Sequence, residues 1–153
     1  MNYEKLQKEI ITLMMKGKGD TINWNVVNDE INDKPKEVHI TTNGFLLHVI
    51  PYCFWFIDVK KFTKTPLNTQ SILPKNLDNY ESVKFNGIIE KKGKNLITEL
   101  STENYKTYID INLLTKYYDI NRLTFHISKN PLKPVIFTEY GNEIAGVIMP
   151  VRI

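Results

Sequence analysis

Apolar residues recur every three to four positions near the start of the chain, with Tyr3, Leu6, Ile10, Leu13 and Met14 on one face and Lys5, Lys8, Thr12 and Lys16 on another. This spacing predicts an amphipathic helix over residues 3–16, stopped by Gly17 and Gly19. The period then shortens to two: Ile22, Trp24 and Val26 alternate as in a strand, followed by the polar run N-D-E-I-N-D-K-P-K. Residues 38–42 and 45–50 flank Asn43-Gly44, the strongest hairpin signal in the chain, and Pro51 ends it. Residues 52–57 read Y-C-F-W-F-I and are expected as a core strand with Cys53 buried and inert, because aromatic side chains dominate cores. The competing reading is a stacking platform for single-stranded nucleic acid beside Lys60, Lys61 and Lys64.

Residues 63–80 carry Pro66, Pro74 and several Asn, Thr and Ser, and are expected to form an irregular connection between two halves, 1–62 and 81–153. Residues 83–89 and 95–100 flank a lysine-rich tip at 90–94 and read as a second hairpin. A strand over 105–111 leads to a short helix through Asp119, capped by Asp110 or Asn112, with Leu113, Leu114, Tyr117 and Tyr118 as its apolar face. Leu123, Phe125 and Ile127 then alternate with Arg122, Thr124, His126 and Ser128. The last hairpin places Val135, Ile136 and Phe137 before a turn at Tyr140-Gly141-Asn142, with residues 144–153 as its second strand. Period two sets Val147, Met149, Val151 and Ile153 on one face of that strand and Ile148, Pro150 and Arg152 on the other. Pro150 cannot donate to a ladder, which points to an edge or a bulge there. The order of helix, strands, connection, strands, short helix and strands is that of a single α+β domain.

Composition agrees with one globular domain: 153 residues, 42% hydrophobic and 24% charged, enough for a core without disulfides. One cysteine excludes a disulfide framework within the chain, and no apolar run approaches the roughly 18 residues of a membrane span. A cytoplasmic protein is the expectation. The net charge of +3 permits contact with nucleic acid without requiring it.

Candidate chemistry is sparse. His39 and His48 sit on opposite arms of the first predicted hairpin, where they could approach, but no placed carboxylate or cysteine accompanies them. Asp29, Glu30 and Asp33 lack the ligand pattern of a calcium loop and read as solvated. Asp58, Asp110 and Asp119 are not linked as an acid–base pair, and no phosphate loop, nucleophile elbow or Cys-x-x-Cys occurs. No catalytic residue, metal or cofactor is assigned. A small metal-dependent enzyme using the histidines is the third-ranked reading.

Residues 106–153 carry a resemblance. The run K-T-Y-I-D-I-N-L-L-T-K-Y-Y-D-I-N-R-L-T-F-H-I-S-K-N-P-L-K-P-V-I-F-T-E, closing on G-V-I-M-P-V-R-I, resembles the last half-domain of the bacterial DNA polymerase III beta subunit, the sliding clamp. The ending Met149-Pro150-Val151-Arg152-Ile153 is its most specific part. The resemblance implies a single sliding-clamp-like (DNA clamp) domain of two helix-plus-antiparallel-strand halves and a noncatalytic role in DNA replication. Such a protein, encoded by a phage or other mobile element, would form an oligomeric ring on duplex DNA, dock replication proteins carrying short hydrophobic motifs, or both. Val147, Met149, Pro150, Val151 and Arg152 would form the partner-binding groove, and Lys5, Lys8, Lys16 and Lys116 would face the DNA backbone. Sliding clamps have three such domains per chain and this chain has one, so a ring would need six copies as a homo-oligomer. The weakly charged second helix supports the alternative, an adaptor or inhibitor on a clamp-like scaffold without DNA binding.

Overall fold

The computed structural model describes all 153 residues. Helix α1 (Tyr3–Met15) starts where the Asn2 side chain accepts the Lys5 N–H. It stops at Gly17, whose left-handed backbone (φ 72°) lets Gly17 N–H reach Met14 O and Lys18 N–H reach Leu13 O. Strands β1 (Asn23–Asn28), β2 (Pro35–Thr41) and β3 (Leu46–Pro51) follow as an antiparallel meander. After the connection come β4 (Glu81–Lys84), β5 (Glu90–Lys92), β6 (Asn95–Ser101) and β7 (Lys106–Asp110). Helix α2 (Asn112–Thr115) then leads into a second meander, β8 (Thr124–Ile127), β9 (Val135–Thr138) and β10 (Ile144–Ile148).

The two meanders meet along β3 and β10, which pair antiparallel, so one seven-stranded sheet runs β1-β2-β3-β10-β9-β8-β4. Apart from β4, this order reads the same from both ends, as a helix followed by three strands used twice. The second sheet, β5-β6-β7, adds Leu100 and Ile109 to the main core.

Alternation along the strands gives the large sheet two covered faces. Ile40, His48, Gly146, Phe137 and Phe125 are register partners on the front face, where α1 packs through Leu6 and Ile10, α2 through Leu114, and the chain just past α2 through Tyr118. Gly146 is required there by contact: a Cβ would lie 2.4 Å from Phe137 Cζ and 2.5 Å from Leu47 O. On the back face Leu47, Ile136 and Val147 pack under Leu73, Leu77 and Tyr80. The irregular connection is therefore the second cover of the sheet. This is why β3 is buried on both faces from Leu46 to Ile50.

Several expectations change. The second hairpin turns at Gly93-Lys94, with Lys92 opposite Asn95, so Glu90–Lys92 is a strand and not a tip. Residues 81–84 leave it altogether and pair with β8. The second helix ends at Thr115, short of Asp119, whose carboxylate instead accepts the Asn121 N–H and caps a 3-10 turn. Residues 52–57 are no strand: past Pro51 the chain makes a 3-10 turn over Tyr52–Phe54. Tyr52, Cys53, Phe54 and Phe56 are exposed while Trp55 and Ile57 are buried. No helix is long and apolar enough to cross a membrane.

Candidate functional site

The C-terminal residues singled out by the resemblance do not form one surface. β10 lies in the middle of the large sheet rather than at an edge, and it ends at Ile148, before Pro150. Val147 is 2% exposed and faces the back of the sheet under the connection. Beyond the strand, Met149 N–H donates to Phe45 O at 2.8 Å and Val151 N–H to Tyr108 O at 2.9 Å, so the tail fastens the large sheet to the small one. Proline stands between these two donors, at a position that needs none. Met149 is 37% exposed and Phe45 60%, while Pro150 and Val151 are half-buried and Arg152 is exposed. Met149 thus meets Phe45, which sequence reasoning missed because only the β3–β10 pairing brings it there, and Pro150 and Val151 continue from it toward the small sheet.

The four lysines expected to face DNA are all exposed, Lys5, Lys8 and Lys16 on or just past α1 and Lys116 just past α2. Both helices cover the same face of the sheet. Asn2 N–H donates to Tyr117 O at 2.7 Å, and the Tyr117 hydroxyl donates to Glu9 Oε2, which ties α1 to the end of α2. That pairing and burial, chiefly burial, raise the Tyr117 phenol. The lysines are diluted: Lys8 Nζ lies 2.8 Å from Glu4 Oε1 one turn away, on the exposed surface.

The two histidines do not approach each other. In the β2–β3 register Ile40 opposes His48 and His39 opposes Val49, which sends the imidazoles to opposite faces. His48 is buried on the front, stacked on Tyr118 and edge-on to Tyr117, with Nδ1 2.9 Å from the Tyr118 hydroxyl. Burial pushes its pKa down to about 3, so it is neutral in the folded protein at neutral pH. No group of three or more His, Cys, Asp or Glu is placed to hold a metal ion.

His39 reaches the back face, beside an open cleft of about 930 Å³ between the connection and the β2–β3 arm. Its Nδ1 lies 2.6 Å from Thr69 Oγ1, which also accepts from Asn25 Nδ2 at 3.1 Å. On the other side Nε2 lies 3.2 Å from Glu37 Oε1, off the line of a good hydrogen bond. Interaction with His39 lowers the Glu37 carboxyl, against the opposing effect of partial burial. Acid, imidazole and hydroxyl thus stand in a row, yet Thr69 is 0% exposed and out of reach of a substrate. The row acts as a fastening that holds the connection to the sheet.

Comparison with family models, curated proteins and solved structures gave no match.

The most exposed apolar stretch lies elsewhere. Tyr52, Phe54 and Phe56 are 42%, 52% and 62% exposed. Their backbone is held by the fully buried Gln7, whose Nε2 donates to Phe54 O and whose Oε1 accepts the Phe56 N–H, both at 2.9 Å. Tyr3, one turn earlier on α1, stacks on Phe54 with ring centroids 4.9 Å apart and planes at 11°. Sequence patterning could not say which rings face out, because both alternating sets, Phe54/Phe56 and Trp55/Ile57, are apolar.

Proposed function

We propose that the protein is a noncatalytic, clamp-like binding domain of the replication apparatus, in which the tail from Met149 to Val151 and the adjoining Phe45 dock short hydrophobic motifs. The observation that carries this reading is the doubled order of helix and three-strand meander, joined at β3 and β10 with both helices on one face. A doubled order of this kind is what the resemblance of residues 106–153 leads one to expect, and it supports the reading. The exposed Met149 and Phe45 supply apolar area, and the Pro150 backbone has no donor to satisfy. A cytoplasmic site of action fits this role.

A second reading is favoured by the helices. With Lys8 paired to Glu4, and with α2 only four residues long and flanked by a single lysine, the helical face has little charge to offer a duplex. On that reading the protein is an adaptor or inhibitor that binds proteins and leaves duplex DNA alone.

Native mass by light scattering, with and without duplex DNA, separates the two. Six copies of 17.9 kDa, about 107 kDa, is the mass expected of a ring. A monomer or dimer indifferent to duplex favours the adaptor. Met149→Asp, at a partly exposed position, is expected to abolish capture of clamp-binding peptides while circular dichroism stays unchanged. Peptide binding unaffected by that substitution rules out the tail as the docking site.

A further inference from the structure

We propose that the aromatic row Tyr52, Phe54 and Phe56, with the lysine cluster at the far end of α1, binds single-stranded nucleic acid, the bases stacking on the rings and the phosphates meeting the lysines.

The rings are presented by design of the backbone. Phenylalanine left in water forgoes about 1.5–3 kcal/mol of burial, and here two of them face solvent on one short segment. Local looseness does not explain this. Trp55 and Ile57 anchor the alternate positions in the core, and Gln7 pins the backbone on both sides of Trp55. A rigidly held ring loses little conformational freedom when a base stacks on it. Phe54 already forms half of such a stack with Tyr3, and half of its surface remains open.

Charge continues where the rings end. From Gln7 the segment runs beside α1 to its far end, where a Cβ on Gly19 would lie 3.9 Å from Thr63 Oγ1. Two lysines at that end of α1, Lys16 and Lys18, and three on the facing segment, Lys60, Lys61 and Lys64, are all exposed. Five lysines less Asp20 and Asp58 leave +3, which equals the net charge of the whole chain. The rest of the protein is therefore neutral in sum, and this positive cluster lies at the opposite end of α1 from the Tyr3–Phe54 stack. From Gln7 to the end of the helix at Met15 the rise is roughly 12 Å, room for a few nucleotides.

The chemistry distinguishes this ligand from others. A duplex keeps its base faces stacked inside, so rings add nothing to its binding, whereas every unpaired base offers a face. Protein interfaces are depleted in lysine, and here lysine is the flanking residue. The site is separate from the tail around Met149 and does not depend on the clamp-like reading.

The test is fluorescence anisotropy with a labelled 12-nucleotide dT strand and a 12-base-pair duplex, across a salt titration. Wild-type protein is expected to prefer the single strand. Phe54→Ala/Phe56→Ala, at exposed positions, should weaken single-strand binding at least tenfold, since stacking is worth about 1–3 kcal/mol per base, and leave circular dichroism unchanged. Lys60→Glu/Lys61→Glu should reduce the slope of log K against log salt by about 1.4, at about 0.7 per phosphate contact. The dT strand should also shield Cys53, within the row, from thiol reagents. Met149→Asp should bind the strand as wild type does, which separates this result from failure of the docking tail. Equal affinity for strand and duplex, indifferent to the Phe54/Phe56 change, overturns the proposal in favour of simple phosphate contact. Absence of strand binding, with self-association relieved by the same change, overturns it in favour of a protein-facing patch.

Discussion

The Gln7 side chain stands in for a strand opposite Phe56: its amide oxygen accepts the Phe56 N–H while its amide nitrogen donates to the carbonyl of Phe54 and, at 3.3 Å, to that of Tyr3. A glutamine on the buried face of an amphipathic helix is costly unless paired, and here the backbone of residues 54–56 supplies the pairing. Replacing Gln7 with Leu keeps the volume and strands those two backbone groups. The expected loss is about 2–3 kcal/mol in urea denaturation, with hydrogen exchange accelerating at Phe56 before the β3 amides. Uniform acceleration across the sheet would show that Gln7 supports the whole core rather than this segment.

Gly146 is the one glycine whose position leaves no room for a side chain, and Phe137 is the nearest obstacle. The aromatic ring lies against the glycine Cα in the strand beside it, and the Leu47 carbonyl closes the other side. A methyl group at position 146 would have to displace backbone as well as a ring. Gly146→Ala is expected to cost about 3 kcal/mol or more. Adding Phe137→Leu should recover part of that loss, because the carbonyl contact would remain. Full recovery would assign the whole clash to the ring.

These two contacts mark what the sequence could and could not specify. Helix α1 is legible because its apolar period and its glycine stop agree, although its Asn2 cap emerges only from the structure. Strands β8 and β9 and the Asn43-Gly44 reversal were legible from alternation and turn residues. Pairing across distance was not, since nothing in residues 81–84 says that their partner is β8 rather than the nearby β6. Pro150 points to an edge only if it lies inside the last strand, and that strand stops at Ile148, which leaves β10 free to sit in mid-sheet. Burial by irregular chain was also invisible. The connection reads as polar loop, yet its Leu73, Leu77 and Tyr80 cover Val147, a residue the resemblance assigns to an open groove. The candidate site suffered most at residues 52–57, where an all-apolar stretch gave no polar side to mark the surface.

Exposure of Cys53 is directly measurable. The aromatic stretch around it suggested a buried, inert thiol, and the structure places it on the surface between two exposed rings. Native protein should react with one equivalent of a thiol reagent at a rate within about tenfold of the unfolded chain. Protection that weakens only as urea unfolds the protein would mean that residues 52–56 are covered in solution.

His48 gives the fold a pH dependence with a defined sign. Unfolded, the imidazole titrates near its ordinary 6.5; folded, burial between Tyr117 and Tyr118 lowers it to about 3. Between these values the unfolded chain binds a proton that the folded chain refuses, so stability falls as pH falls. The contribution is complete above about pH 6.5 and declines by at most about 1.4 kcal/mol per unit down to about pH 3. His126, partly buried and also lowered, acts in the same direction more weakly. His48→Gln retains a polar partner for the Tyr118 hydroxyl and removes this one titration while leaving His126 in place. Urea midpoints at pH 7, 5.5 and 4.5 should therefore diverge, with wild type losing more stability per unit than the variant. Parallel curves would mean that His48 takes up its proton without unfolding, which requires the Tyr117–Tyr118 pocket to open to water.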